Sequence, residues 1–170
     1  MASYARTQST EPQSNVRAAS YFIAEARRCC WRCGTDTRVH GFVLPARHQT
    51  LCVDDADSAS DTWDVADAPS ILSYISYLLP AVVTRMQART SHYRMRYSAD
   101  VKCKYWMNSC EYCRAKLCDA DTFDEPGLGF LAFTPAQARR ITLTRIDAPF
   151  AASCGSYSIG IEFFRFMRLV

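Results

Sequence analysis

Two short cysteine pairs constrain this chain more than any other feature. They are Cys30-Trp31-Arg32-Cys33 and Cys110-Glu111-Tyr112-Cys113. A Cys-x-x-Cys turn places two sulfurs on one side of an ion, and structural zinc sites take four such ligands in a tetrahedron. The two turns therefore predict one structural Zn2+ held by Cys30, Cys33, Cys110 and Cys113. The spacing sets a condition: 76 residues lie between Cys33 and Cys110, against about 15–20 in a compact motif. A shared ion requires the intervening elements to return the chain. The cost of closing such a loop grows only logarithmically with its length. Cys29 is the rival for the first ligand position, but Cys30 reproduces the two-residue spacing of the second pair. Cys118 is a spare candidate.

Metal is favoured over disulfides by context. Nine cysteines are an odd number, which fits a disulfide framework poorly. The first twenty residues lack the apolar middle region of a signal peptide. No run of about 18 apolar residues occurs, so no membrane span is expected. The expectation from these features is a reducing cytoplasm, where paired cysteines serve metal or redox chemistry. The apolar fraction of 49% and 170 residues suit one globular domain. A net charge of +3 is too small to indicate nucleic acid by itself.

Along the chain, residues 1–18 read as a disordered polar tail and 19–170 as a single domain. Ser20 to Arg28 and Thr37 to Leu44 read as antiparallel strands flanking the first cysteine turn. Residues 52–68, rich in Asp and free of basic residues, read as a solvated loop around Trp63. Their Asp-x-Asp spacing lacks the glycine and terminal Glu of an EF-hand. Ile71 to Leu79 predicts a strand, and Pro80 opens a short helix running to about Arg89. Tyr93 to Tyr97 alternates aromatic and basic residues, with Val101 to Met107 as its hairpin partner. Asp119 to Gly129 reads as polar turns. Thr134-Pro135 starts a second short helix as N-cap and first helical residue. Ile141 to Ile146 and Tyr157 to Leu169 add strands. The expected fold is α+β, a strand-rich zinc-ribbon-like core with two short helices.

Two segments carry a resemblance. One is Cys30-Trp31-Arg32-Cys33-Gly34 followed by Thr37 to Pro45. The other is Tyr105-Trp106-Met107-Asn108-Ser109-Cys110-Glu111-Tyr112-Cys113, followed by Glu125-Pro126-Gly127. Together they resemble a family of uncharacterised bacterial zinc-ribbon-like proteins. In that family a Cys-Trp-x-Cys turn begins the domain and a Tyr-Trp-x-Asn segment precedes the second pair. The likeness covers most of residues 20–150. Arg114 departs from it, since such proteins often carry glycine after the last cysteine. The resemblance implies a bound zinc and implies no activity.

Catalytic signatures are missing from the sequence. His40, His48 and His92 form no His-Glu-x-x-His pattern. No Gly-x-Ser-x-Gly elbow and no phosphate-cradling glycine loop occurs, and no small-molecule substrate is evident. Four thiolates would close a zinc site, whereas a catalytic zinc keeps an open position. A basic segment does stand out: Arg94, Arg96, Lys102 and Lys104 are interleaved with Tyr105 and Trp106. Phosphate-binding cations beside base-stacking rings make a single-strand or RNA platform. The other reading of that segment is a charged outer strand face with its aromatics in the core. The function expected is a non-enzymatic zinc-binding interaction module for protein or nucleic acid. The alternative is a thiol redox protein using one Cys-x-x-Cys pair. A redox pair wants a following helix to lower the thiol pKa, and Gly34 leads into a strand instead.

Overall fold

A computed structural model describes residues 14–52, 62–123, 129–159 and 163–170. Among them, strands dominate. β1 (Val16–Ala18), β2 (Tyr21–Cys29), β3 (Asp36–Leu44), β4 (Gln49–Cys52), β5 (Thr62–Val65) and β6 (Ser70–Leu78) come first. Helix α1 (Pro80–Arg89) leads into β7 (Tyr93–Ser98), β8 (Cys103–Ser109) and β9 (Lys116–Leu117). Helices α2 (Asp119–Phe123) and α3 (Pro135–Ala138) precede β10 (Thr142–Ile146), β11 (Phe150–Ile159) and β12 (Arg168–Leu169). Nine strands form one sheet in the order β12-β10-β2-β3-β6-β11-β1-β4-β5. Among the described strands, only the β10–β12 pair is parallel. β7, β8 and β9 make a separate antiparallel sheet.

The centre of the large sheet is apolar on both faces, because both are covered. Phe22, Ala24, Ala26, Val39 and Val43 point into one cluster with Cys30, Cys110, Leu117, Phe123 and Phe130. Tyr21, Ile23, Phe42 and Leu44 point into the other, with Val82 and Met86 of α1 and Tyr93 of β7. Period-two alternation along β2 and β3 thus feeds two cores rather than one core and solvent. The stacked rings of Phe123 and Phe130, 5.1 Å apart, lie over Gly41, where an added Cβ would meet both at 3.2 Å.

This architecture corrects several expectations. The fold is not a small zinc-ribbon-like core with two short helices. It is a large mixed sheet carrying a three-stranded one, with three short α-helices among the described residues. Two hairpin turns read locally looked like a ribbon, but long-range pairing decides sheet size. Most of the tail expected over 1–18 lies outside the described residues. Its last part is not tail, because Val16–Ala18 pairs with β11 and β4 inside the sheet. In the loop expected over 52–68, Thr62–Val65 pairs with β4, and 53–61 lies outside the described residues. Asp119–Phe123 is helical rather than a turn: the Asp119 carboxylate accepts from the Tyr74 N–H at 2.6 Å, and the Thr122 N–H bonds to the Cys118 carbonyl. The N-cap expected at Thr134 is present, its hydroxyl accepting from the Gln137 N–H. No helix among the described residues is long and apolar enough to cross a membrane.

Candidate metal centre

The first cysteine turn joins β2 to β3, and the second joins β8 to β9. Their backbones match. The Cys30 N–H donates to the Thr35 carbonyl at 2.9 Å, and the Gly34 N–H to the Cys30 carbonyl at 2.9 Å. In the second turn, the Cys110 N–H donates to the Ala115 carbonyl at 2.9 Å, and the Arg114 N–H to the Cys110 carbonyl at 3.1 Å. Both turns need a residue with positive φ after the second cysteine: Gly34 at 70° and Arg114 at 62°.

Folding brings the two turns together. The ligand atoms of Cys30, Cys33, Cys110 and Cys113 all lie within 4.8 Å of one another. Cys30 Sγ is 3.6 Å from Cys113 Sγ, and Cys33 Sγ is 3.7 Å from Cys110 Sγ. Sulfurs at about 2.3 Å from a tetrahedral ion would stand roughly 3.8 Å apart, so the spacing suits a metal-sized centre. Cys30 and Cys110 are buried, Cys113 is half-buried and Cys33 faces solvent. The four cysteines can hold a metal ion. Cys29 does not compete for it: its exposed thiol donates to the Gly34 carbonyl at 3.2 Å. Cys118 is also excluded, its thiol donating to Asp121 at 2.8 Å.

The turns favour the thiolate at Cys33 and Cys110. At Cys113 the Ala115 N–H lowers the thiol, but burial and the sulfurs of Cys33, Cys30 and Cys110 outweigh it and push it up to about 11. Hydrogen bonds from the Thr35 hydroxyl and then its amide bring the Cys33 thiol down to about 6. Burial pushes the Cys110 thiol up, but N–H donors from Cys113 and Tyr112 outweigh it and leave it below its ordinary value. The shortest sulfur contacts, Cys30 to Cys113 and Cys33 to Cys110, run between the two turns.

Side chains from the small sheet hold the turns in place. β6 pairs with β3 only along Phe42–Leu44, which leaves the earlier part of that β3 edge without a strand among the described residues. Asn108 fills the gap: its amide accepts from the His40 N–H and donates to the His40 carbonyl, both at 2.8 Å. Glu111 does the same two residues earlier, accepting from the Arg38 N–H at 3.0 Å and pairing with the Arg38 guanidinium at 2.7 Å. Thr37 Oγ1 accepts from the Glu111 N–H. Trp31, exposed at the first turn, donates through Nε1 to the Lys116 carbonyl at 2.9 Å. Backbone groups of an open edge are thus satisfied by side chains instead of a strand. Nothing in the spacing of Asn108 or Glu111 points to that role.

The basic segment does not form one surface. Register places Arg94 and Arg96 opposite Met107 and Tyr105, and Tyr97 and Met95 opposite Lys104 and Trp106. The six residues expected as a platform therefore divide between two faces of the hairpin. Tyr105 is buried, its hydroxyl accepting from the Asp119 N–H and its ring set edge-on to Tyr74. It is a core residue. Trp106 is half-buried and stacked on Tyr93 at 5.9 Å. Lys102 and Lys104 are exposed on the hairpin. No protein-family model matches this chain, and neither a curated protein nor a solved structure matches it.

Proposed function

We propose that Cys30, Cys33, Cys110 and Cys113 hold one structural zinc ion in a non-enzymatic interaction module. The observation that carries the reading is the convergence of four sulfurs from two matching turns within 4.8 Å. An all-sulfur tetrahedral donor set suits Zn2+. Four thiolates leave no position for water or substrate, so the ion's chemistry is to fix the two turns and, through them, the two sheets. No two of the nine cysteines are joined by a disulfide, which fits a reducing compartment such as the cytoplasm. The partner is a protein or a nucleic acid, met by the exposed residues around the turns.

Metal analysis of the purified chain tests this. One zinc per chain is the expected result. Co2+ in its place should show thiolate charge-transfer absorption that disappears in Cys30→Ser. A metal-free protein that cycles a Cys30–Cys33 disulfide would establish the redox reading instead.

A further inference from the structure

Beside the second turn lies a cavity of about 360 Å³ lined by Ser91, His92, Arg94, Arg96, Ser109 and Arg114. Among the described residues, no carboxylate lines it. Among the described residues, no acidic group forms an ion pair with any of its three arginines. Two of the guanidiniums are held in place by neutral acceptors. Arg94 Nε donates to the Ser91 carbonyl at 2.6 Å. Arg114 Nη1 donates to His92 Nδ1 at 2.8 Å. Both leave other N–H groups unused. At the wall of the cavity, Ser109 is 1% exposed, and its hydroxyl has no hydrogen-bond partner among the described residues. A buried hydroxyl without a partner is costly, and three like charges around one cavity repel one another. An oxyanion relieves both costs at once.

Arg114 adds an independent argument. Its counterpart in the first turn is Gly34, and both sit at positive φ. Arginine is strained there by about 1 kcal/mol relative to glycine. The metal turn requires the backbone conformation, not the guanidinium. The side chain at 114 therefore serves the cavity.

We infer that this cavity is a phosphate-binding site, taking a phosphate dianion on Arg94, Arg96 and Arg114 with Ser109 Oγ donating to it. Guanidinium forks match phosphate oxygens in geometry and charge. His92 is a positioning residue that aims Arg114. The dianion is either free phosphate or the terminal phosphate of an oligonucleotide. Only the second source rests on the interaction-module reading, and none of the six residues is a metal ligand.

The test uses the full metal-loaded chain and titrates inorganic phosphate by calorimetry at fixed ionic strength. One saturable site per chain is expected. Arg114→Gly, which keeps the favoured backbone, should weaken binding at least about tenfold while zinc content and Tm hold. Ser109→Ala should weaken it about fivefold. If Arg114→Gly fails to load metal, Arg96→Gln, outside both turns, replaces it. A second arm compares a 5′-phosphorylated oligonucleotide with its 5′-hydroxyl form. Preference for the phosphorylated strand over inorganic phosphate identifies a nucleic-acid end as the source. Equal affinity for the two phosphates identifies the free anion. Absence of saturable phosphate binding overturns the site. So does unchanged phosphate affinity with weakened zinc in the arginine variants, which would assign these charges to offsetting the thiolates.

Discussion

The two cysteine turns are near copies in backbone and differ in what surrounds them. Each closes with the same pair of hydrogen bonds, and each demands a left-handed residue after the second cysteine. The first uses Gly34, where an added Cβ would meet nothing within 4 Å. Glycine is there for its φ alone. The second uses Arg114, which accepts strain and sends a guanidinium to His92. The first turn also grows from the central strands of the large sheet, whereas the second hangs on a three-stranded sheet. One turn is thus anchored by the fold, and the other is attached to it by side chains and, on our reading, by metal.

The largest expected effect tests whether the turns share one ion. Cys33→Ser and Cys110→Ser should each release the metal, and the double variant should be little worse than either. Structural zinc contributes roughly 10–16 kcal/mol in isolated finger peptides, so metal content and Tm should fall together. Independent, additive losses would separate the two turns into two sites.

Next comes the attachment. Asn108→Ala leaves the buried His40 N–H and carbonyl without their partners and should cost about 2–4 kcal/mol. Hydrogen exchange should then rise in β7–β9 before it rises in β2. Equal loosening of both sheets would mean that they do not form separable units.

The two left-handed positions should respond with different sizes. Gly34→Ala should cost about 1 kcal/mol through backbone strain alone. Arg114→Gly trades relief of that strain against a more flexible unfolded chain, so denaturant unfolding should place it within about 0.5 kcal/mol of the parent. A large loss on Arg114→Gly would show that the guanidinium stabilises the turn itself.

The smallest effect concerns the large-sheet side. Burial holds the His40 imidazole below its ordinary value of 6.5, against Glu25, which raises it, and alongside Arg38, which lowers it further. The folded state therefore binds the proton less readily than the unfolded chain. Its contribution is fully present above about pH 6.5 and is lost as pH falls toward the depressed folded value. Between about pH 8 and 6, the metal-loaded His40→Gln protein should lose less stability than the parent, by up to about 1 kcal/mol. Parallel curves would remove His40 from the pH response.

Much of the candidate metal centre is legible in the amino-acid sequence. Spacing alone picks Cys30 over Cys29, and the thiol of Cys29 is engaged with the Gly34 carbonyl. Strand propensity locates β2 and β3 around the first turn. The helix at Asp119 escapes such a reading because its polar residues look like turn formers, while its stability comes from burial of Thr122 and Phe123 and from Tyr74. The residues read as a basic platform are divided between two faces by register, which local alternation does not specify. The arginine cavity is hidden for a related reason. Arg114 and His92 are 22 residues apart, and only the hairpin brings them together.

What the sequence determined by itself was chemistry: four thiols in two turns whose backbone conformation is set within six residues each. Local hydrogen bonds and φ preferences decide such turns, so they can be read from short segments. Tertiary structure alone decided that the turns meet, that nine strands form one sheet, and that Asn108 and Glu111 close the open edge of β3. Those outcomes depend on pairing across tens of residues, where many registers satisfy the same local pattern. The two clusters that bury both faces of β2 and β3 select one of them.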